Sequence, residues 1–310
     1  MSEFRLVFVG GIGRSGSTLI ERLLGELPGV CSMGEVVHMW RRALVDDETC
    51  GCGERFARCP FWAEVGREAF GGWERVDPAE VLALKAAVDR TRYAPRLLAD
   101  RPPAELALRA RRYTELYDRL YRAVARVSGC PVVVDSSKHA SLAACLRLRY
   151  GVRLRLLHVV RDPRAVAYAW RKRVPRPDAT PTSPEQYMAR CSPARSAVRW
   201  SAQNGVLAAL ERSGTPTLRV RYEDFAADPR AELRRIAGFA GCGEEAGAAA
   251  VGEGGTALLS PGHTVSGNPM RFRTGPVQVR PDVSWRSGLG AGHRLAVSAL
   301  TFPVRRRFGY

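Results

Sequence analysis

The sequence predicts an α/β fold, an open parallel sheet flanked by helices, on three observations. A short apolar run, Phe4–Val9, passes through a glycine-rich loop into a stretch with helical leucine spacing. Three further apolar runs, Pro131–Asp135, Val152–Val160 and PTLRVRYEDF (Pro216–Phe225), are each followed by a helix-like segment. Between the first and second runs lies a block, 46–129, that reads as mostly helical. Parallel neighbours need crossover connections, so strands alternating with helices point to a parallel sheet. The 310 residues are expected to form one domain, with 46–129 as a helical insertion or cap.

In chain order, STLIERLLGEL places Leu19, Leu23, Leu24 and Leu27 at helical spacing, and Pro28 and Gly29 end that helix. Gly34–Leu44 predicts a short helix entered through a loop. In AELALRARRYTELYDRLYRAVARV the apolar stripe is Leu106, Tyr113, Leu116, Leu120 and Val124. The segment after Asp135 is rich in capping residues, and Pro163 stands at a first-turn position. Ser183–Gly214 carries one or two helices and Asp228–Gly241 another. Gly238–Gly262 reads as a loose helix and loop, and 263–290 as a basic, turn-rich loop folded over a ligand. Sites in open α/β sheets lie at the carboxyl ends of strands. The opening loop, Asp135–Lys138, Arg161 and Tyr222 all directly follow expected strands.

The net charge of +17 is almost all arginine, since Lys85, Lys138 and Lys172 are the only lysines. Such a surface suits anionic partners. The arginines are spread along the chain and not interleaved with aromatics, which argues against a nucleic-acid-binding module. No apolar stretch is long enough to span a bilayer, and the N-terminus lacks the pattern of a signal peptide, so a cytoplasmic location is expected. Eight cysteines do not predict a disulfide scaffold. Cys50, Cys52 and Cys59 cluster; a metal site completed by Cys31 or His38 is one reading. Their spacing fits no standard zinc knuckle, so buried thiols or a loop constraint is expected, with no metal.

The stretch GIGRSGST (Gly11–Thr18) nearly matches the nucleotide-binding pattern G-x-x-x-x-G-K-[ST], but Ser17 stands in the lysine slot and Arg14 precedes it. Successive backbone N–H groups at a helix start bind anions without a lysine. In an ATPase, lysine and Mg²⁺ neutralise the transferred phosphoryl group. A sulfuryl group carries less charge and can dispense with that clamp.

Four blocks taken together resemble the sulfotransferases that use 3′-phosphoadenosine 5′-phosphosulfate (PAPS). GIGRSGSTLIERLL is similar to that family's 5′-phosphosulfate loop, VVRDPRAVAYAW to its 3′-phosphate motif, and RYEDFAADP to its "YEDL…P" segment. GNPMRFRTG occupies the place of its C-terminal phosphate-binding loop. The resemblance implies that Arg14, Ser15, Gly16, Ser17 and Thr18 bind the 5′-phosphate and sulfate, and Arg161 the 3′-phosphate. The family's serine eight residues after that arginine is Ala169 here. Arg271, Arg273 or a backbone amide would replace its hydrogen bond, and Tyr222 would reach the adenine. The Lys-x-His base pattern of the cytosolic branch is not met, because Lys138 and His139 are adjacent. GVCSMGEVVHMWRRAL looks closer to the tyrosylprotein sulfotransferase branch, which implies Glu35 as the base, with partial burial raising its pKa. Lys138 matches a lysine that stabilises charge on the leaving phosphate in that branch. Ser266 is a weaker match for an assisting group, and His38, His139, His158 and His263 are alternative bases.

The expected activity is metal-independent, in-line sulfuryl transfer from PAPS to a hydroxyl or phenol of a small-molecule, carbohydrate or lipid acceptor, releasing adenosine 3′,5′-bisphosphate. The segments Asp46–Gly129 and Val174–Pro184 are expected to shape the acceptor pocket. The alternative is an NTP-dependent P-loop kinase, with Asp135 and Thr18 holding Mg²⁺.

Overall fold

The computed structural model describes residues 4–179 and 185–310. Five parallel strands form the central sheet: β1 (Arg5–Gly11), β2 (Val30–Ser32), β3 (Val132–Lys138), β4 (Leu154–Val160) and β5 (Thr217–Arg221). Their spatial order is β2-β3-β1-β4-β5, so the first strand lies at the centre and the chain reverses direction beside it. The fold class agrees with the sequence prediction. The three-residue edge strand β2 is too short to carry a periodic signal. The fifth strand ends earlier than expected, at Arg221, because Tyr222–Ala227 turns into a helix.

Alternation along β1 divides the core. Leu6 and Phe8 point into a cluster shared with the helices of 46–129. Val7 and Val9 point to the other face, toward Ile20, Leu23 and Leu24 of α1 (Ser17–Gly25). The 46–129 segment is therefore a layer packed on one sheet face. Its longest helix, α2 (Ala104–Ser128), buries Tyr113, Tyr117, Leu120, Tyr121 and Val124. Leu106 and Leu116, expected on the inner stripe, are only partly buried, because aromatic and small residues one turn away fill the contact.

The remaining major helices are α3 (Ala140–Tyr150), α4 (Pro163–Arg171), α5 (Pro193–Arg212), α6 (Pro229–Ala240) and α7 (Ala291–Arg307). Proline at the first turn and an Asp or Ser cap start α4, α5 and α6. The C-terminal region holds more structure than the sequence predicts. An antiparallel hairpin, β6 (Thr256–Leu259) with β7 (Gly275–Gln278), encloses the 260–274 loop. Helix α7 carries Pro303 inside it, which hides its periodicity, and Val297 packs against Ala167 and Ala197.

One buried carboxylate links three elements. Glu21 on α1 is 2% exposed. It accepts hydrogen bonds from Ser32 Oγ, from Gly34 N at 2.8 Å and from Ser136 Oγ. It thereby fixes the ends of β2 and β3 against α1. Glu21→Ala leaves three donors, two of them buried, without an acceptor and is expected to lower the unfolding free energy by about 2–4 kcal/mol, with Glu21→Gln costing less. Urea denaturation of both variants checks this.

Asp135 faces the opposite sheet surface. It is fully buried, with Tyr121 Oη donating to Oδ2 at 2.5 Å and Ser137 N donating to Oδ1 at 2.7 Å. Burial pushes its pKa up to about 6, against those hydrogen bonds. A carboxyl with a folded pKa above its unfolded value binds more protons when folded, so its contribution to stability falls as pH rises through roughly 4 to 6. Asp135→Asn should stabilise the protein at pH 7 relative to its effect near pH 4, by up to about 3 kcal/mol. A difference between variant and wild type that is constant across that range would contradict this.

Candidate functional site

A cleft of about 590 Å³ opens at the carboxyl ends of β1, β3 and β4. Nine arginine and lysine side chains line it against two carboxylates, Glu35 and Glu185. That imbalance makes the cleft a focused positive field suited to a polyanion.

The loop after β1 forms the first wall. Gly11 lies beside Val159 of β4, where a Cβ would sit 2.6 Å from Val159 O. Gly16 has φ 87°, and a Cβ there would meet the Tyr222 ring at 2.2 Å. Both glycines are therefore required by close approach. Arg14, with φ 76°, adopts a left-handed conformation that costs a non-glycine residue energy. Burial pulls its pKa below the ordinary value, opposed by the charge of Glu35. The first turn of α1 leaves N–H groups without intrahelical acceptors, including those of Ser17 and Thr18. Arg14, Gly16, Ser17 and Thr18 all line the cleft. Ser15 does not: its N–H bonds Ile12 O at 3.3 Å and its hydroxyl is buried without a partner. Trp170 Nε1 donates to Gly13 O at 3.0 Å and braces the loop from α4.

The second wall comes from the end of β3. The register between β1 and β3 slips between Phe8 and Gly10, so three steps on β3 match two on β1. This bulge and the positive φ of Lys138, 66°, turn the lysine into the cleft. Its Nζ donates to Glu35 Oε1 and to Ser136 O at 3.3 Å. Glu35 follows Gly34, whose left-handed φ of 83° and contact with Val265 admit only glycine. Val37 N donates to Ser137 Oγ at 3.0 Å, tying the Glu35 turn to β3.

Burial would raise the Glu35 pKa, but the charge and hydrogen bond of Lys138, with the charge of Arg42, outweigh it and hold the carboxyl below its ordinary range. The sequence-based expectation of a raised value is thus reversed, because it did not include the lysine pair. His38 Nε2 lies 3.7 Å from Glu35 Oε2, and burial drives its pKa down to about 3, so the imidazole is neutral. Beyond it, the His38 and His139 rings meet edge to face at 5.5 Å, and His139 Nδ1 lies 3.3 Å from buried Asp89. His38 and His139 line the cleft. His158 bonds Asn204 on the other side of β4 and His263 sits among cysteines; neither lines the cleft.

Arg161, at the end of β4, is 7% exposed and lines the cleft. It donates to Arg14 O at 3.1 Å and to Asp282 Oδ2 at 2.9 Å, while its Nε is buried without a partner. Tyr222 is a support and not part of the cleft wall: its ring lies between Gly16 and the Arg161 guanidinium, 4.5 Å from the latter. Arg271 also lies outside the cleft wall. It is buried beneath the C-terminal loop, donating to Thr264 O at 3.0 Å and Thr49 O at 2.6 Å. Arg273 is exposed and outside the cleft; its carbonyl accepts from Arg22. From this loop it is Gly267, Asn268 and Met270 that line the cleft. Ser266, with φ 56°, has a buried hydroxyl without a partner.

Ala169 lines the cleft, next to Trp170. The sequence analysis did not single out Trp170, Arg42, Arg176, Arg190, Arg195, Arg199 and Gln203, which also line it. For Arg176, Arg190, Arg195 and Arg199 the only available signal was the arginine density of 171–199. No described residue of 46–129 lines the cleft, because that segment packs beneath the sheet. Val174 and Arg176 do line it; residues 180–184 of the same expected segment lie outside the described residues.

Among the described residues, no helix is long and apolar enough to cross a membrane. No curated protein sequence matches the chain. A family model described as "Sulfotransferase family" matches residues 7–245, a span that holds most of β1, the other four strands of the central sheet, Glu35, Lys138 and Arg161. The chain belongs to the sulfotransferase family, and is a transferase whose chemistry is sulfuryl transfer.

Proposed function

We propose that the protein transfers the sulfuryl group of PAPS to a hydroxyl or phenol of a small-molecule acceptor, a carbohydrate or lipid headgroup included, without a catalytic metal. The observation that carries the reading is the Lys138–Glu35 pair in a cleft that also presents Arg14 and Arg161. One carboxylate able to accept a proton stands among cations able to hold a polyanion.

The loop's amides and hydroxyls at Gly16, Ser17 and Thr18, with Arg14, take the 5′-phosphosulfate. Arg161 takes the 3′-phosphate, using the guanidinium edge whose Nε has no protein partner. Ala169 offers no hydroxyl there. Tyr222 supports this loop and Arg271 supports the C-terminal loop, and neither acts as a ligand of the donor. The acceptor oxygen forms a bond to sulfur as the bridging S–O bond breaks. Its proton passes to Glu35, and the electron pair leaves on adenosine 3′,5′-bisphosphate. Lys138 stabilises charge on the departing oxygen. The glutamate base is the feature shared with the tyrosylprotein branch. The kinase alternative lacks support because Asp135, its metal ligand, is held by Tyr121 on the sheet face opposite α1.

Adenosine 3′,5′-bisphosphate should bind saturably in calorimetry, and PAPS turnover should persist in EDTA, which removes Mg²⁺. No binding of either nucleotide would sink the proposal. Glu35→Gln should lower kcat by about 10²-fold or more while leaving PAPS affinity within a few-fold. Because Lys138 holds Glu35 below the ordinary glutamate range and burial holds His38 near 3, neither group should titrate in kcat/KM on acidification to about pH 5. An acid limb near pH 6 that vanishes in Glu35→Gln would show that Glu35 is not held down.

A further inference from the structure

Four side chains outside the cleft converge on one point. Cys50, Cys52 and Cys59 come from the start of the 46–129 layer, and His263 from the loop inside the β6–β7 hairpin. Their ligand atoms all lie within 4.8 Å of one another. Cys59 Sγ is 3.3 Å and Cys50 Sγ 3.9 Å from His263 Nδ1, and Cys52 Sγ is 3.8 Å from Cys59 Sγ. A tetrahedral zinc ion with ordinary Zn–S and Zn–N bonds sets S···S at about 3.8 Å and S···N at about 3.6 Å. These three separations lie close to those that one such ion would impose, and the remaining pairs lie within 4.8 Å. All three thiols are free.

The surroundings hold these ligands in place. Thr49 and Arg55 pair across a tight turn in which Gly53 has φ 96° and donates to Cys50 O at 2.9 Å. Gly51 N donates to Thr264 O at 2.9 Å, and a Cβ at Gly51 would strike Thr264 Oγ1 at 2.6 Å. The His263 ring stacks on Phe61 at 4.7 Å, and its carbonyl accepts from Trp62 Nε1 at 2.8 Å. Arg271 bonds the carbonyls of Thr49 and Thr264, the residues adjoining Cys50 and His263. Such outer contacts orient metal ligands.

We propose that Cys50, Cys52, Cys59 and His263 bind one Zn²⁺ in a closed structural site. Four protein ligands leave no open position for catalysis. Binding releases the three thiol protons to solvent. The ion staples the 263–268 loop to the helical layer. From there Val265 N donates to Met33 O and Val265 O accepts from Glu35 N, while Gly267 abuts the Glu35 carboxylate. The zinc thus anchors the loop that backs Glu35.

The test is the metal content of the full chain purified without added metal. About one zinc per chain is expected, falling below about a fifth of that in Cys59→Ser and His263→Ala and unchanged in Cys242→Ser. Because the variants can fail to fold, the wild-type protein is also stripped with a mercurial thiol reagent and titrated with Co²⁺. Thiolate charge-transfer and tetrahedral d–d absorption saturating at one equivalent support the site. Zinc loss should expose the three thiols to alkylation and lower Tm by several degrees. Wild-type protein that carries no zinc and gives no such cobalt spectrum, or a Cys52–Cys59 disulfide in the mass spectrum, overturns the proposal. None of these readouts depends on sulfuryl transfer.

Discussion

The buried Glu21 carboxylate is the contact on which the cleft's geometry rests. Its three donors come from the end of β2, from the turn before Glu35 and from the end of β3 before Lys138. Burial raises its pKa, opposed by the hydrogen bonds of Ser136 and Ser32. A carboxylate costs free energy to bury unless its acceptor sites are filled. Here the filling groups belong to the two segments that carry the acid and the lysine. Stability and site geometry therefore depend on one side chain, and α1 is coupled to both walls of the cleft through it.

Strain is concentrated in the same place. Among the described residues, four that are not glycine have a left-handed backbone: Arg14, Asp47, Lys138 and Ser266. Three of them lie in or beside the cleft, one in the loop after β1, one at the end of β3 and one in the loop inside the C-terminal hairpin. Such conformations persist only where the surroundings over-determine them. The surroundings are visible: Arg161 holds the Arg14 carbonyl, the β1–β3 bulge sets Lys138, and the Gly34–Val265 pairing holds the strand that leads into Ser266.

The sheet was legible because strand–helix alternation and the glycine loop are local signals. Glu35, Lys138 and Arg161 were legible because each follows a strand or a recognisable loop motif, and the fold brings them to one cleft. Tyr222 and Arg271 carry the same residue types as binding groups. Their orientation depends on Gly16 and on the carbonyls of Thr49 and Thr264, which no local pattern encodes. Edge strand β2 and proline-containing α7 lacked periodicity. His263 could not be joined to Cys59 by spacing, since the two are distant in sequence and meet only through the packing of the C-terminal loop on the helical layer. The Glu35 pKa was misjudged for a related reason: burial is readable from a sequence pattern, whereas a lysine more than a hundred residues away is not.

That pairing bears on how a weak base can serve the proposed reaction. A carboxylate held down by Lys138 stays ionised at neutral pH, but it is a poor proton acceptor while the pair is intact. In the proposed reaction the same lysine also stabilises the departing phosphate oxygen. As negative charge grows on that oxygen, attraction would draw Lys138 away from Glu35. Each increment of that shift removes the interaction that lowers the Glu35 pKa, while burial, which raises it, remains. The attacking hydroxyl acidifies over the same interval, because its oxygen is forming a bond to sulfur. Basicity at Glu35 and acidity at the acceptor would then rise together. One ion pair would link departure of the bisphosphate to removal of the proton, with neither His38, which is neutral, nor a metal ion needed to carry the charge between them.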